Sequence, residues 1–534
     1  MNLYSLSFKD DKELEKVLNS GNIKENSFQN NPEFEDKYNN IDINENNEKI
    51  SMGIRDSVSS ANIENENEKG KGNEEKEEED TQKELIEKKE ESERHNSMVL
   101  DNKRSLFHKI FGPMEAGSIR GSIFNMVILS LGTGMFALPK YMSNTSLFLA
   151  CFLIIGICFS VWWSLLLLSK ACEKNKIYNY SKLIELLYGK ILSLIYDIIV
   201  ILYSFGVLIL FNCIIFSNLG EALYGIYYYI EYDTLQKFLN NSFWNEWYIK
   251  ILLPYASSII IVYPMCLIKD VSKLRIISLI GVINIIGLII IVIYQSKDYI
   301  KKENLENNVN YFDIKKGFQG DFDTLNFISC IFYASCFHIG CVPVINTLTN
   351  NVQRRIEKAI RRTILIDIFF YLVIAVVGYL SCPIDTPSLI IQRPTIKPHD
   401  SDIVMGIGKI GFVFTFFTKL PNTYSSLRIT LFDKIWGTTE ITDTKNYIVT
   451  FIVIIVCVTC SILYSDISSY IKIMGGLFST LVGFLFPSLL IIKSNGKKIY
   501  HWENILTLAF FIILTLIGFI SSAFTVHKMI VGEQ

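Results

Sequence analysis

In the run Ser130-Leu131-Gly132-Thr133-Gly134-Met135-Phe136-Ala137-Leu138-Pro139, two glycines and a proline fall inside an apolar stretch long enough to cross a bilayer. Glycine leaves the backbone bare for a ligand, Thr133 adds a hydroxyl, and proline removes a backbone donor. A helix interrupted at membrane depth is tolerated only against protein or a water-filled cavity. Its freed amides, aided by the positive end of the following half-helix, suit a carboxylate. A second run, Ser335-Cys336-Phe337-His338-Ile339-Gly340-Cys341-Val342-Pro343, places Gly340 and Pro343 as the interruption of the sixth apolar stretch. Breaks at corresponding places in two halves point to the substrate site of a secondary transporter. The plainer alternative for the glycine pair is a packing notch between helices.

Ionisable residues at membrane depth are costly and are functional candidates by default. His338 titrates nearest neutral pH and suits a proton relay, against the alternative of a lone histidine bonding two helices. Lys419, just before Pro421, needs a partner or a cavity, unless its stem carries the ammonium out to the headgroups. Asp367 reads as paired locally with Arg361 and Arg362, and Asp197 as reaching the interface. The sequence has no HExxH, GxSxG, Walker loop or paired intramembrane carboxylate, so no enzyme activity is expected.

Eleven apolar stretches position these residues: Ser118 to Tyr141, Ser146 to Lys170, Ile191 to Leu219, Tyr248 to Ile268, Ser272 to Gln295, Thr324 to Ile345, Thr363 to Ser381, Asp402 to Leu427, Tyr447 to Tyr464, Ile467 to Ile492 and Glu503 to Val526. Each is near the roughly 20 residues that a crossing helix needs. Between the second and third, Tyr178 to Tyr188 reads as a short amphipathic helix along the inner surface, with Tyr180, Leu183, Ile184 and Leu187 on one face and Gly189 as its stop. Lys and Arg follow the second, fourth, sixth and tenth stretches, which sets those ends and the N-terminus in the cytoplasm. Residues 1–100 form an acidic tail too poor in apolar residues to fold, so disorder is expected there.

A formal net charge of −2 without a basic, aromatic-laced block excludes nucleic acid as an expected partner. The 11 cysteines lie in or beside apolar stretches, and the Cys457/Cys460 pair lacks companions for a zinc site, so no metal, cofactor or disulfide framework is expected.

The first run is similar to the GTGLLxLP pattern of the amino acid/auxin permease family, and Cys336 to Val344 resembles its CHPxxxPI stretch. The second match departs twice, because Phe337 separates cysteine from histidine and Ile339 replaces the following proline. Tyr180-Ser181-Lys182-Leu183 with Tyr188-Gly189-Lys190, and Gly475-Gly476 through Pro487, resemble the family's inner helix and tenth span. The resemblance covers Ser118 to Val526 and implies an all-α multi-pass membrane protein with eleven transmembrane helices. It implies a neurotransmitter-symporter-like 5+5 inverted repeat, about 118–295 and 324–492, plus one helix at about 503–526. Substrate would touch Gly132, Thr133, Gly134 and Met135 on one side and Phe337 and His338 on the other.

Sodium-coupled members place an asparagine four residues before the first glycine, where this chain has Ile128, and a hydroxyl where it has Lys419. An apolar side chain gives a hard cation no oxygen, and an ammonium repels it. The expectation is therefore secondary active, sodium-independent amino acid transport across a vacuolar or plasma membrane. Protons are the coupling ion, with Lys419 and His338 as coupling residues. Alternatives are an amino acid sensor signalling through the tail, or a carrier of cationic drug-like amines.

Overall fold

The computed structural model describes residues 117–143, 145–226, 247–268, 275–303, 323–348, 352–383, 386–393, 403–437, 442–494 and 501–531. The acidic tail and the loops at 227–246 and 304–322 lie outside the described residues.

Span 1 is broken into α1 (Ile119–Ser130) and α2 (Thr133–Met142). Span 2 is α3 (Leu147–Asn175), followed by the short α4 (Tyr180–Tyr188), and span 3 is α5 (Lys190–Ile226). Span 4 joins α6 (Trp247–Ser257) to α7 (Tyr263–Cys266) through a π turn at Ser258–Val262, and span 5 is α8 (Arg275–Asp298). Span 6 is broken into α9 (Thr324–Ser335) and α10 (His338–Asn346). Spans 7, 8 and 9 are α11 (Gln353–Ser381), α12 (Ile403–Trp436) and α13 (Asp443–Leu463). Span 10 runs from α14 (Ile467–Ile473) through π turns at Met474–Ser479 and Leu481–Leu485 into α15 (Phe486–Ser494), and span 11 is α16 (Trp502–Val531). Among the described residues ten helices are long and apolar enough to cross a membrane, and the pair α1 and α2, bent by 49°, makes the eleventh.

The outer faces explain why this bundle needs a bilayer. Phe148, Phe152, Ile155 and Phe159 recur at helical spacing along α3, and all four are exposed. A stripe of that size facing water would be an aggregation surface, whereas hydrocarbon solvates it. Inside, the faces that meet are small or polar enough for close approach. Span 10 lies against span 11 with backbone on backbone: a Cβ on Gly518 would fall on the Gly476 carbonyl oxygen, and one on Gly476 on that of Gly518. Ser521 Oγ also donates to Asn326 Oδ1 at 3.4 Å, which ties α16 to α9.

The α4 helix starts at Asn179, whose side chain accepts from the Lys182 amide at 3.0 Å, and stops at Gly189, whose φ of 89° suits glycine. Its buried face holds Tyr180, Leu183 and Ile184 as the periodicity indicates. That face packs on protein: Tyr180 OH donates to the Val482 carbonyl at 2.8 Å and Tyr188 OH to that of Leu489 at 2.7 Å.

Three expectations from the sequence are corrected. Span 7 starts at Gln353 rather than Thr363, because the Arg-rich segment is itself helical and buries Ile356, Ala359 and Ile360 on one face. The sixth span breaks at Cys336 and Phe337, and Gly340 and Pro343 lie inside α10. Proline removes a donor from the turn before it without ending the helix, so it does not mark the break itself. Asp197 does not reach out to the interface: it is 1% exposed and Lys434 comes to it, at 2.7 Å.

Candidate functional site

Both breaks present the same pair of helix ends. Gly132 and Phe337 precede α2 and α10 without any side-chain cap, so the first amides of each half-helix lack an intrahelical partner and form a positive end. The preceding half-helices end in carbonyls, which form a negative end.

Side chains from other spans fill the negative ends. Lys419 Nζ of α12 donates to the Leu131 carbonyl, and a Cβ on Gly132 would stand 2.8 Å from the same ammonium. Lys419 is buried, so it does not carry its charge out to headgroups. Tyr371 OH of α11 lies 2.7 Å from the Ala334 carbonyl and 3.2 Å from that of Ser130. One phenolic proton thus bridges the closing carbonyls of α1 and α9. Ser130 Oγ in turn lies 2.7 Å from Asp367 Oδ1.

The remaining expected site residues divide between two places. Thr133 Oγ1 lies 3.3 Å from Tyr333 OH, and the Gly134 carbonyl accepts from Cys330 Sγ at 3.6 Å, so the start of α2 meets α9 directly. At Gly134 a Cβ would stand 2.6 Å from the Ala334 Cα, which only glycine tolerates. Glycine at this position is thus what lets α2 lie directly against α9. Met135 is fully buried beside them. On the far-end side of the break, Phe136 meets Phe412 edge-on at 5.2 Å, and Phe412 and Phe416 continue the aromatic layer at 4.7 Å.

Phe337 and His338 stand at the second break, both buried. His338 turns toward span 10: a Cβ on Gly483 would lie 3.2 Å from its Cε1, and its Nδ1 is 3.9 Å from Cys336 Sγ. Its Nε2 has no hydrogen-bond partner. Among the described residues the histidine bonds no second helix, and its ring faces spans 6 and 10 rather than the first break.

Charged ties hold the bundle at both ends of these breaks. At the end away from α4, Lys409 Nζ bonds Glu221 Oε2 at 2.6 Å and Gln392 Nε2 reaches Glu221 Oε1 at 3.2 Å. At the α4 end Arg428 donates to the carbonyls of Cys266 and Ile268 at 2.9 and 3.1 Å and to Asn446 Oδ1 at 3.2 Å.

Sequence reasoning missed Tyr333, Tyr371 and the burial of Asp367. Spacing holds the signal for Asp367: residues three and four before it are Ile364 and Thr363, whereas Arg361 and Arg362 are on another face and exposed. The expected local charge pairing is thereby corrected. Tyr371 gives no such signal, since an aromatic in an apolar span is ordinarily packing.

The sequence profile described as "Transmembrane amino acid transporter protein" matches residues 115–531. The chain belongs to that family. "Amino acid transporter AVT6E" of Arabidopsis thaliana is 23% identical over 392 residues, covering 72% of this chain and 77% of that protein. "Putative amino acid transporter AAT1" of Plasmodium berghei is 23% identical over 483 residues, covering 80% and 74%. Among solved structures, MhsT in complex with L-phenylalanine superposes with a TM-score of 0.51 at 14% identity, over 77% of this chain and 100% of that one. At that identity the likeness concerns fold alone. This transmembrane amino acid transporter family member thus has the all-α, neurotransmitter-symporter-like architecture of two five-helix inverted repeats and an added helix, with its breaks in spans 1 and 6.

Proposed function

We propose that the protein is a secondary active transporter that carries amino acids by alternating access, with the two broken spans as its moving gate. The observation that supports this reading best is the pair of uncapped half-helix starts, at Gly132 and Phe337, in a member of this family. Each start offers free amides to a substrate carboxylate. Gly132, Thr133, Gly134 and Met135 form one wall of the proposed site and Phe337 and His338 the other.

Coupling to protons and independence of sodium belong to the same proposal. A sodium ion needs oxygen ligands. Ile128 offers none, and the Leu131 carbonyl already accepts from Lys419. Lys419 supplies a resident positive charge in place of the ion, and His338, with a free ring nitrogen, is the second coupling group. A relative named "Vacuolar amino acid transporter 5", from Schizosaccharomyces pombe, supports a vacuolar membrane, with the plasma membrane as the alternative. Lysine and arginine distribution favours a cytoplasmic N-terminus.

Uptake of a panel of labelled amino acids into proteoliposomes, under separate pH and sodium gradients, tests the whole reading. Accumulation of at least one amino acid under the pH gradient alone is expected; accumulation under sodium alone overturns the coupling. Lys419→Thr refines it, since unchanged proton dependence removes the lysine from the mechanism.

A further inference from the structure

Asp367 lies midway along α11, fully buried. Its Oδ2 has no hydrogen-bond partner, and among the described residues no Lys, Arg or His forms an ion pair with it. The titratable groups that face it are Cys158 of α3, close enough to feel its charge, and Tyr371 of its own helix. Helices α1, α2 and α8 also pack on α11, but their charged residues stand at helix ends. An isolated carboxylate in such a place is costly, so the group must find a cation, water or a proton.

Hydrogen-bond arithmetic around Ser130 separates these choices. Ser130 Oγ lies 2.7 Å from Asp367 Oδ1 and 3.1 Å from the Val127 carbonyl, and its single proton serves one of them at a time. If Asp367 carries a proton, it donates to Ser130 Oγ and Ser130 donates to Val127. Both protons in that chain are then used, and no charge is left buried. If Asp367 is ionised, Ser130 must turn to it and away from its own helix, and the charge stays without a counter-ion.

We propose that Asp367 is a proton-binding site of the transport cycle. With α2 packed on α9 it holds the proton, and Ser130 stays bonded within α1. When the first break moves away from α11, water reaches the carboxyl group, which releases its proton to that water. The site deepens the proton-coupled reading above and rests on it for its role in transport, though not for the binding of the proton itself.

Two measurements on the full-length protein decide the matter. Infrared difference spectra on a pH jump should show the carbonyl stretch of a protonated carboxyl group that disappears in Asp367→Asn and shifts in Ser130→Ala. A band unchanged in both variants overturns the proposal, and the Ser130→Ala arm decides alone should Asp367→Asn not fold. In proteoliposomes given a labelled mixture of the proteinogenic amino acids, a gradient of one pH unit supports about tenfold accumulation at one proton per substrate. Asp367→Asn should lose that accumulation while still exchanging internal for external substrate. Gradient-driven accumulation that survives the substitution also overturns the proposal. Should the wild-type protein ignore the pH gradient, the coupled reading fails by itself, and the infrared arm still reports whether Asp367 takes up a proton.

Discussion

The two breaks differ in how firmly they are held. At the first, bent by 49°, the lysine of span 8 and a Ser130–Asp367 bond to span 7 converge on the end of α1, and the Tyr371 hydroxyl reaches it as well. At the second, Tyr371 holds the Ala334 carbonyl, and beyond it His338 leaves a ring nitrogen unused. The first break is thus fixed by the Lys419 ammonium and short hydrogen bonds to span 7, while the second is held by Tyr371, by the weaker bond from Cys336 Sγ to the Ser479 carbonyl at 3.7 Å and by close packing against span 10. In a gate built of two broken rods, the loosely tied one is the cheaper to move, and the firmly tied one is suited to sensing charge.

The hardest blow to this contrast is Gly134→Val, which puts a branched side chain into the contact with Ala334. Overpacking of that kind costs about 1–3 kcal/mol, and uptake in proteoliposomes should vanish; near-normal uptake would show that α2 and α9 stand apart in the working protein. Next comes Lys419→Thr, expected to reduce pH-driven accumulation by about tenfold at one pH unit, read in the same assay. Tyr371→Phe removes one donor from two buried carbonyls, and a loss of about 1–3 kcal/mol is expected, visible as a lower unfolding temperature in detergent. An unchanged temperature would mean that the bridge between α1 and α9 contributes nothing to holding them. His338→Gln should lower the unfolding temperature less than Tyr371→Phe does, since the only hydrogen-bond contact it loses among the described residues is the 3.9 Å one to Cys336 Sγ. A larger drop would make the second break as firmly tied as the first.

Much of this architecture is legible from sequence. Apolar runs of crossing length, the Gly132-Thr133-Gly134 interruption and the Lys419 anomaly are local signals; the first mark the spans, and the other two mark features that the structure places at a break. The true position of the sixth break is hidden because Gly340 and Pro343 tolerate helix as well as they end it. Helix ends read from hydropathy fall short wherever charge begins, as at Gln353 to Arg362, since hydropathy follows side chains and not the backbone ladder. Tyr371 leaves no trace in the sequence at all. Its role depends on two carbonyls, Ser130 and Ala334, that are far from it in sequence and nearest only after folding.

The mutual burial of Gly476 and Gly518 leaves span 11 little room to slide against span 10, and Ser521 fastens it to α9 as well. An added helix anchored so closely is cargo for whatever carries it. A fluorophore placed at the end of span 11 would therefore ride with that assembly, and energy transfer to a second dye fixed on α12 would read out, one molecule at a time, the opening and closing that the proposed alternating access requires.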